Sequence, residues 1–129
     1  YFDVAKITSV PGYCDYIAPQ IYFGFDNAVQ PYAQTLAKWE KVIGKDTGID
    51  LYVGIASYKV GTLDKFAGKD GENEWKEDTD LTARQIKLAR EKEHYAGFAL
   101  FRYDHLFKPA QDVKNRVEKE RQNIEKLLK

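Results

Sequence analysis

The sequence contains no methionine, one cysteine and two histidines among its 129 residues. Because Cys14 is the only cysteine, a disulfide bond within the chain is excluded. We expect Cys14 to serve as a small buried residue at the start of a strand, since the sequence suggests no cysteine–histidine pairing that would activate a thiolate. The missing initiator methionine leads us to expect a processed or shortened form of a longer protein.

An excess of charge of one sign and long apolar runs are absent as well. Twenty basic residues balance twenty acidic ones, so the chain as a whole has no electrostatic attraction to nucleic acid or to an anionic membrane. Its longest apolar stretches fall far short of the ~20 residues that a membrane-spanning helix needs. We therefore predict no nucleic-acid partner and no membrane span, and a neutral partner fits this composition better.

The sequence also lacks the common patterns for metals and phosphates. His94 and His105 have no cysteine or second histidine at ligand spacing, which argues against a structural zinc ion. Neither GxGxxG nor GxxxxGK followed by serine or threonine occurs, which argues against a small doubly wound phosphate-binding domain. We predict no cofactor and no metal, with calcium bound in the acidic stretch 70–80 as an open alternative.

One pattern is present three times: an apolar run that ends in aromatic and polar residues, followed by an amphipathic segment. The runs cover residues 14–25, 51–58 and 95–103. This alternation predicts an α/β fold in which three parallel strands are joined by crossover helices. Functional side chains of such folds collect at the carboxyl ends of the strands. The runs place there our candidate substrate-binding residues Gln20, Tyr22, Tyr58, Phe101, Tyr103 and Asp104.

The two-residue period of a strand assigns some of these side chains to faces. In the first run Gln20 and Tyr22 point to the same side, and Gln20 is either a hydrogen-bonded structural residue or a ligand contact. In the second run the small residue Gly54 shares the side of Tyr58. Small residues on that side predict a crowded interior, as in a closed barrel filled by its own side chains.

Amphipathic segments predict the helices that cover the opposite face. Residues 1–10 are predicted to be the tail of a helix, and Pro31 suits the first turn of the next one. A later helix begins after Asp78 or Asp80, either of which can cap it. The charged segment 111–129 has the pattern of a surface helix, to which we attach no function.

A long connection, residues 59–78, follows the second run. Strand-to-helix connections usually have about two to six residues, and longer ones are often functional or mobile. Trp75 within this connection has two possible roles that the sequence does not separate. It is either a platform on which a sugar stacks or an aromatic anchor that holds the loop to the body of the domain.

Several polar residues near the predicted strand ends also have competing roles. For Arg102 we favour a place beneath the helices, with its guanidinium bonded to an acid, over a substrate contact. His105 has no defined partner for acid–base chemistry, so we favour a surface or hydrogen-bonded role. Asp26 and Asp104 are the only acids that we consider as catalytic helpers, and a turn or cap role is favoured for each.

Three blocks resemble, in order, the last part of the bacterial glycosyl-hydrolase-like family 10. These blocks are DYIAPQIYFGF at 15–25, LYVGIASYKVG at 51–61 and GFALFRYDHLF at 97–107. Members of that family are uncharacterised (β/α)₈ barrels distantly similar to family 18 chitinases. The resemblance implies that residues 1–129 are the C-terminal part of such a barrel, with three βα units. It also implies a carbohydrate partner and an exported or envelope-associated protein, although no leader is visible in this chain.

The resemblance also suggests roles for individual residues. PQIY resembles the sixth-strand segment of such barrels and implicates Gln20 and Tyr22, while VGIASY resembles the seventh and implicates Tyr58. GFALF resembles the eighth, where chitinases place a tryptophan under the sugar; Phe101 occupies that position here. Phenylalanine can stack on a sugar face but lacks the indole donor, so this residue departs from the family 18 pattern.

The essential acid of the resembled barrels comes from the fourth strand, and no run such as DxxDxDxE occurs in this sequence. An eight-stranded barrel takes ~250 residues, so this chain holds less than half a ring. We therefore predict that it supplies the substrate-lining wall of a parent glycoside hydrolase and is inactive alone. The rest of the barrel, or self-association, would cover its open sheet edges. The alternative is a non-catalytic carbohydrate-binding or interaction domain.

Overall fold

The structure, a computed structural model, describes residues 3–129. The first helix, α1 (Val4–Ser9), lies within the helix predicted over residues 1–10. Asp3 caps it, because its carboxylate accepts a hydrogen bond of 3.1 Å from the amide of Lys6. The part of that prediction that involves Tyr1 and Phe2 lies outside the described residues.

Three strands form one parallel sheet in the order β1-β2-β3. They are β1 (Tyr16–Ile17), β2 (Asp50–Ile55) and β3 (Tyr95–Leu100). Helical segments lie between consecutive strands, as parallel pairing requires, because the chain must return to the same end of the sheet before each new strand. The predicted α/β fold with three parallel strands is confirmed.

The helices accompany these strands in chain order. Between β1 and β2 the chain forms a single helix that starts directly after Pro31, close to the predicted start. A short 3₁₀-helix, Ser57–Lys59, follows β2. The α-helices after α1 are α2 (Tyr32–Val42), α3 (Glu74–Glu77), α4 (Leu81–Ala89), α5 (Tyr103–Phe107) and α6 (Lys114–Leu128).

The first strand is much shorter than the run 14–25 predicts. Beyond Ile17 only an isolated bridge between Gln20 and Gly54 continues the pairing. Pro19 has no amide hydrogen to give to a ladder, but its carbonyl accepts a hydrogen bond of 2.9 Å from the amide of Gly54. A Cβ atom on Gly54 would lie 2.9 Å from that carbonyl oxygen, so glycine permits this close approach.

The other two strands also end earlier than predicted. The second was expected to reach Tyr58, but β2 ends at Ile55 because the chain turns into the 3₁₀-helix. The third was expected to reach Tyr103, but β3 ends at Leu100 and Tyr103 begins α5. Both errors have one cause: aromatic residues at a strand end fit a strand pattern whether or not the backbone stays extended.

One face of the sheet is covered by helices and forms the core. Leu51, Val53 and Ile55 alternate along β2 and are fully buried, together with Leu36 of α2 and Ile86 of α4. Burying an aliphatic side chain of this size contributes ~1.5–3 kcal/mol. The helix-covered face therefore holds the described part of the chain together.

The opposite face of the sheet is open within the described residues. Tyr52 packs its ring over Gly97, where an added Cβ atom would lie 2.9 Å from the ring. Tyr16 meets Tyr52 edge-on, with ring centroids 5.6 Å apart, and remains exposed, as does Ala99. Parallel sheets are normally covered on both faces, so this open aromatic face is unusual.

Candidate functional site

Three predicted site residues, Tyr22, Tyr58 and Phe101, meet at the carboxyl end of the sheet; we call them the aromatic cluster. The rings of Tyr22 and Phe101 stack with centroids 6.0 Å apart and planes inclined by 18°. Tyr58 meets both edge-on, at 6.0 Å from Tyr22 and 5.9 Å from Phe101. Edge-on and offset-stacked pairs are favourable arrangements of aromatic rings. The three chain segments therefore contribute one ring each to a single surface.

Main-chain hydrogen bonds fix the cluster to the sheet. The amide of Phe101 donates to the carbonyl of Ile55 at 2.9 Å, and the amide of Tyr58 donates to the carbonyl of Phe101 at 3.1 Å. On the other side of β2, the amide of Ile21 donates to the carbonyl of Gly54 at 2.9 Å. Parallel pairing thus continues just beyond the regular strands, and the rings stand on an ordered backbone.

Lys59 connects the segments that carry the cluster. Its ammonium donates to the backbone carbonyl of Tyr22 at 2.8 Å and to the carboxylate of Asp64 at 2.7 Å. The Asp64 side chain is almost completely buried, so this ion pair is poorly screened by water. The sequence did not single out either residue, because a lysine and an aspartate in a charge-rich loop carry no periodic signal.

The cluster combines exposed ring surface with phenol groups. Phe101 is 51% exposed, Tyr58 is 36% exposed and Tyr22 is partly buried. Burial raises the pKa of the Tyr22 phenol, and neighbouring Tyr58 raises it further, so Tyr22 stays a protonated hydrogen-bond donor at neutral pH. Rings and hydroxyls in this arrangement can stack on the apolar face of a sugar and bond to its hydroxyl groups.

The remaining predicted site residues do not join the ring contacts of the cluster. Gln20 is exposed, two positions before Tyr22. Tyr103 stacks on Phe107, with centroids 4.6 Å apart, and lines a groove next to α6. Asp104 forms an ion pair of 2.7 Å with Arg102 at the surface. A role of Gln20, Tyr103 or Asp104 in substrate binding stays a prediction.

Arg102 and the two histidines are engaged in structural contacts. Arg102 reaches an acid as predicted, but it lies exposed and not beneath the helices, because β3 ends before it. His105 Nε2 lies 3.0 Å from the carbonyl oxygen of Val60, which confirms the hydrogen-bonded role. His94 Nδ1 lies 3.0 Å from the Glu40 carboxylate.

Trp75 is an anchor of the long loop. Its side chain is only 1% exposed and belongs to the hydrophobic core, so the interpretation as a sugar platform is wrong. The carbonyl of Trp75 accepts a hydrogen bond of 2.8 Å from the amide of Gly61, which joins the two ends of the loop. The buried indole therefore fastens residues 59–78 to the body of the domain.

Glu74, next to Trp75, binds the loop to the segment after β1. Its carboxylate accepts hydrogen bonds from the amides of Phe25 at 2.8 Å and Asp26 at 3.1 Å. Burial raises the pKa of Glu74, and this effect outweighs the two amides, which act to lower it. A side chain on Gly24 would overlap the Glu74 carboxylate, so a larger residue there would force Glu74 to move.

Two further features of the described residues concern groups of metal ligands and membrane-spanning helices. Across residues 3–129, no three histidine, cysteine, aspartate or glutamate side chains lie close enough together to hold a metal ion. None of the helices in this part of the chain combines the length and the apolar character that a bilayer crossing requires.

Comparison with known proteins points to glycosyl hydrolases. No protein-family model matches the chain. Over 100 residues, 76% of the chain, it is 39% identical to proteins named glycosyl hydrolase DigH from Escherichia coli (strain K12) and from Shigella flexneri. The chain spans about a fifth of the length of these curated relatives, 21% in each case. The match supports a glycosyl-hydrolase-like relationship, while the family 10 assignment and the chitinase-like barrel stay predictions.

Proposed function

We propose that this chain forms the substrate-lining wall of a glycoside-hydrolase-like protein that binds a polysaccharide or an envelope glycan. The observation that carries the proposal is the convergence of Tyr22, Tyr58 and Phe101 at one end of the parallel sheet. The similarity to proteins named glycosyl hydrolases supports the same class of ligand. From the resemblance to glycosyl-hydrolase-like family 10, we also propose that the protein is exported or associated with the cell envelope.

The proposal includes a partial (β/α)₈ barrel. Helices cover one face of the sheet, while the other face is open and carries Tyr16, Tyr52 and Ala99. In a closed barrel such a face would be the interior, filled by side chains from the remaining strands. The chain covers only 21% of the length of the relative from Escherichia coli (strain K12), and this also supports a partial barrel. The remaining strands, or a second copy of the chain, would cover this face and the free edges.

The catalytic acids of the proposed enzyme lie outside this sequence. Glycoside hydrolysis requires two carboxyl groups, or one acid and a participating substrate group, at the scissile bond. Near the cluster, Asp64 is held by Lys59, and Asp104 is paired with Arg102. We expect the purified chain to release no detectable product from chitin-type and peptidoglycan-type oligosaccharides. Robust turnover by the chain itself would contradict this assignment.

Binding should depend on the aromatic cluster. Replacing Phe101 with alanine removes the most exposed ring of the cluster and is expected to weaken oligosaccharide binding by about tenfold, while Phe101→Trp should retain it. The measurement is isothermal titration calorimetry with chitin-type and peptidoglycan-type oligosaccharides.

Tyr16→Ala is the matched control for that experiment. Tyr16 is an exposed aromatic on the same face of the sheet, but it lies in β1 at the start of the sheet, away from the cluster. Its removal should leave the affinity unchanged. Equal affinities of Phe101→Ala, Tyr16→Ala and the unaltered chain would contradict the proposed site.

The second candidate function is carbohydrate binding without catalysis. The aromatic cluster supports it equally, because rings and phenol groups bind a sugar without a catalytic acid. Both candidates use the same aromatic wall. The complete gene product separates them, since paired acids at the end of a fourth strand favour an enzyme and apolar residues there favour binding alone.

A further inference from the structure

Phe66 is the most exposed large apolar residue described, at 92% exposure, yet the backbone around it is firmly held. The amide of its neighbour Ala67 donates to the carbonyl of Asp64 at 2.9 Å. The carbonyl of Ala67 accepts a hydrogen bond of 2.8 Å from the amide of Ala28. The amide of Asp64 donates to the backbone carbonyl of Glu72 at 2.9 Å. The exposed ring is therefore presented by an ordered turn and not by a loose loop.

A groove of about 350 Å³ connects this ring to the aromatic cluster. Tyr58 and Phe66 both line the groove, and Lys59 and Asp64 contribute polar groups to the lining. A second hollow of about 290 Å³ is also lined by Phe66, Lys59 and Asp64, so the ring borders both. Tyr58 belongs to the groove and to the cluster, so the two surfaces meet at this residue.

The chemistry of this groove suits a sugar ring. Phe66 and Tyr58 offer aromatic surface to the apolar face of a pyranose. The Lys59 ammonium has three donors, two of which are used by the carbonyl of Tyr22 and the carboxylate of Asp64. Within residues 3–129 the third donor has no hydrogen-bond partner, so it is able to bond to a sugar hydroxyl. Small-ligand sites of ~300–1,000 Å³ commonly combine apolar walls with a few such fixed polar groups.

We propose that the groove between Tyr58 and Phe66 is a second sugar-binding position that extends the aromatic cluster. An oligosaccharide would place one ring on the cluster and a following ring against Phe66. The inference rests on the proposed carbohydrate function and adds to it a preference for longer chains. Phe66 is then a residue that determines the length of glycan the chain recognises, without a part in bond cleavage.

The test compares a chitin-type disaccharide with a chitin-type pentasaccharide in calorimetric titrations of the 129-residue chain. Phe66→Ala should weaken pentasaccharide binding by about tenfold and leave disaccharide binding unchanged. The matched control is Tyr13→Ala, which removes an exposed aromatic ring that precedes β1 and should change neither affinity.

Three outcomes would overturn the inference. If Phe101→Ala weakens both ligands but Phe66→Ala weakens neither, the cluster binds sugar and the second position does not exist. If Phe66→Ala changes only the oligomeric state in light scattering, Phe66 belongs to a contact between copies. If Phe101→Ala has no effect on either ligand, or neither ligand binds the unaltered chain, the proposed function fails and this inference fails with it.

Discussion

Replacing Trp75 with alanine is expected to lower the free energy of unfolding by about 3–5 kcal/mol. The indole is 1% exposed within the core, and truncation of a buried tryptophan to alanine loses its transfer free energy and leaves a cavity. The loss is a large fraction of the total, because domains of this size are stable by only ~5–15 kcal/mol. Urea unfolding followed by circular dichroism measures the change.

Phe66→Ala is the control for the Trp75 experiment, because both aromatics lie in the connection 59–78. Phe66 is 92% exposed, so its removal should change the free energy of unfolding by no more than about 0.5 kcal/mol. If the two variants unfold at the same urea concentration, Trp75 does not anchor the loop as described.

The second large expected effect is a dependence of the free energy of unfolding on pH that is caused by Glu120. Glu120 lies on α6 with 0% exposure, and its carboxylate accepts a hydrogen bond of 2.9 Å from the amide of Ala83 in the first turn of α4. Burial raises the pKa of Glu120 from its usual 4.5 to about 7, and Asp80 contributes in the same direction. The amides of the first turn of α4 act to lower the pKa, but burial dominates.

The raised pKa predicts that Glu120 stabilises the fold in acid. Between about pH 4.5 and pH 7 the folded chain holds a proton at Glu120 that the unfolded chain releases. The contribution of Glu120 to the free energy of unfolding is therefore full below about pH 4.5 and is lost as the pH rises through 7. The free energy of unfolding should fall by up to about 3 kcal/mol from pH 5 to pH 8 because of this one group.

The variant Glu120→Gln isolates that contribution, since glutamine keeps the shape and the acceptor oxygen but does not titrate. Its stability should depend less on pH than that of the unaltered chain, with the difference appearing between pH 5 and pH 8. Glu125→Gln, on the exposed face of the same helix, should follow the unaltered chain. Identical pH dependence of Glu120→Gln and the unaltered chain would contradict the raised pKa.

The sheet could be predicted from the sequence because strand patterns and connecting helices are local features. β2 begins one residue before the predicted run 51–58, and β3 lies within the predicted run 95–103. The ends of the strands could not be predicted, since they depend on pairing across the sheet. Pro19, for example, has no amide hydrogen to give to the ladder, and β1 ends two residues before it.

The aromatic cluster could be predicted because parallel strands bring their carboxyl ends together. The side chains beside the cluster could not be predicted from the strand pattern. Lys59 ends the 3₁₀-helix, and Asp64 and Phe66 lie in the loop after it, where only the folded chain decides which side chain is buried. Glu120 did offer a signal: it lies three residues after Val117 on the apolar face of α6, a position where a carboxylate must find a partner.

The most direct test of the central claim is to locate a bound sugar relative to Tyr22, Tyr58 and Phe101. Nuclear Overhauser effects between the CH protons of a chitin-type or peptidoglycan-type oligosaccharide and labelled aromatic rings of the chain report this contact. We predict contacts from one sugar ring to all three members of the aromatic cluster. Contacts confined to other residues, or no contacts with the cluster at saturating oligosaccharide, would contradict the claim.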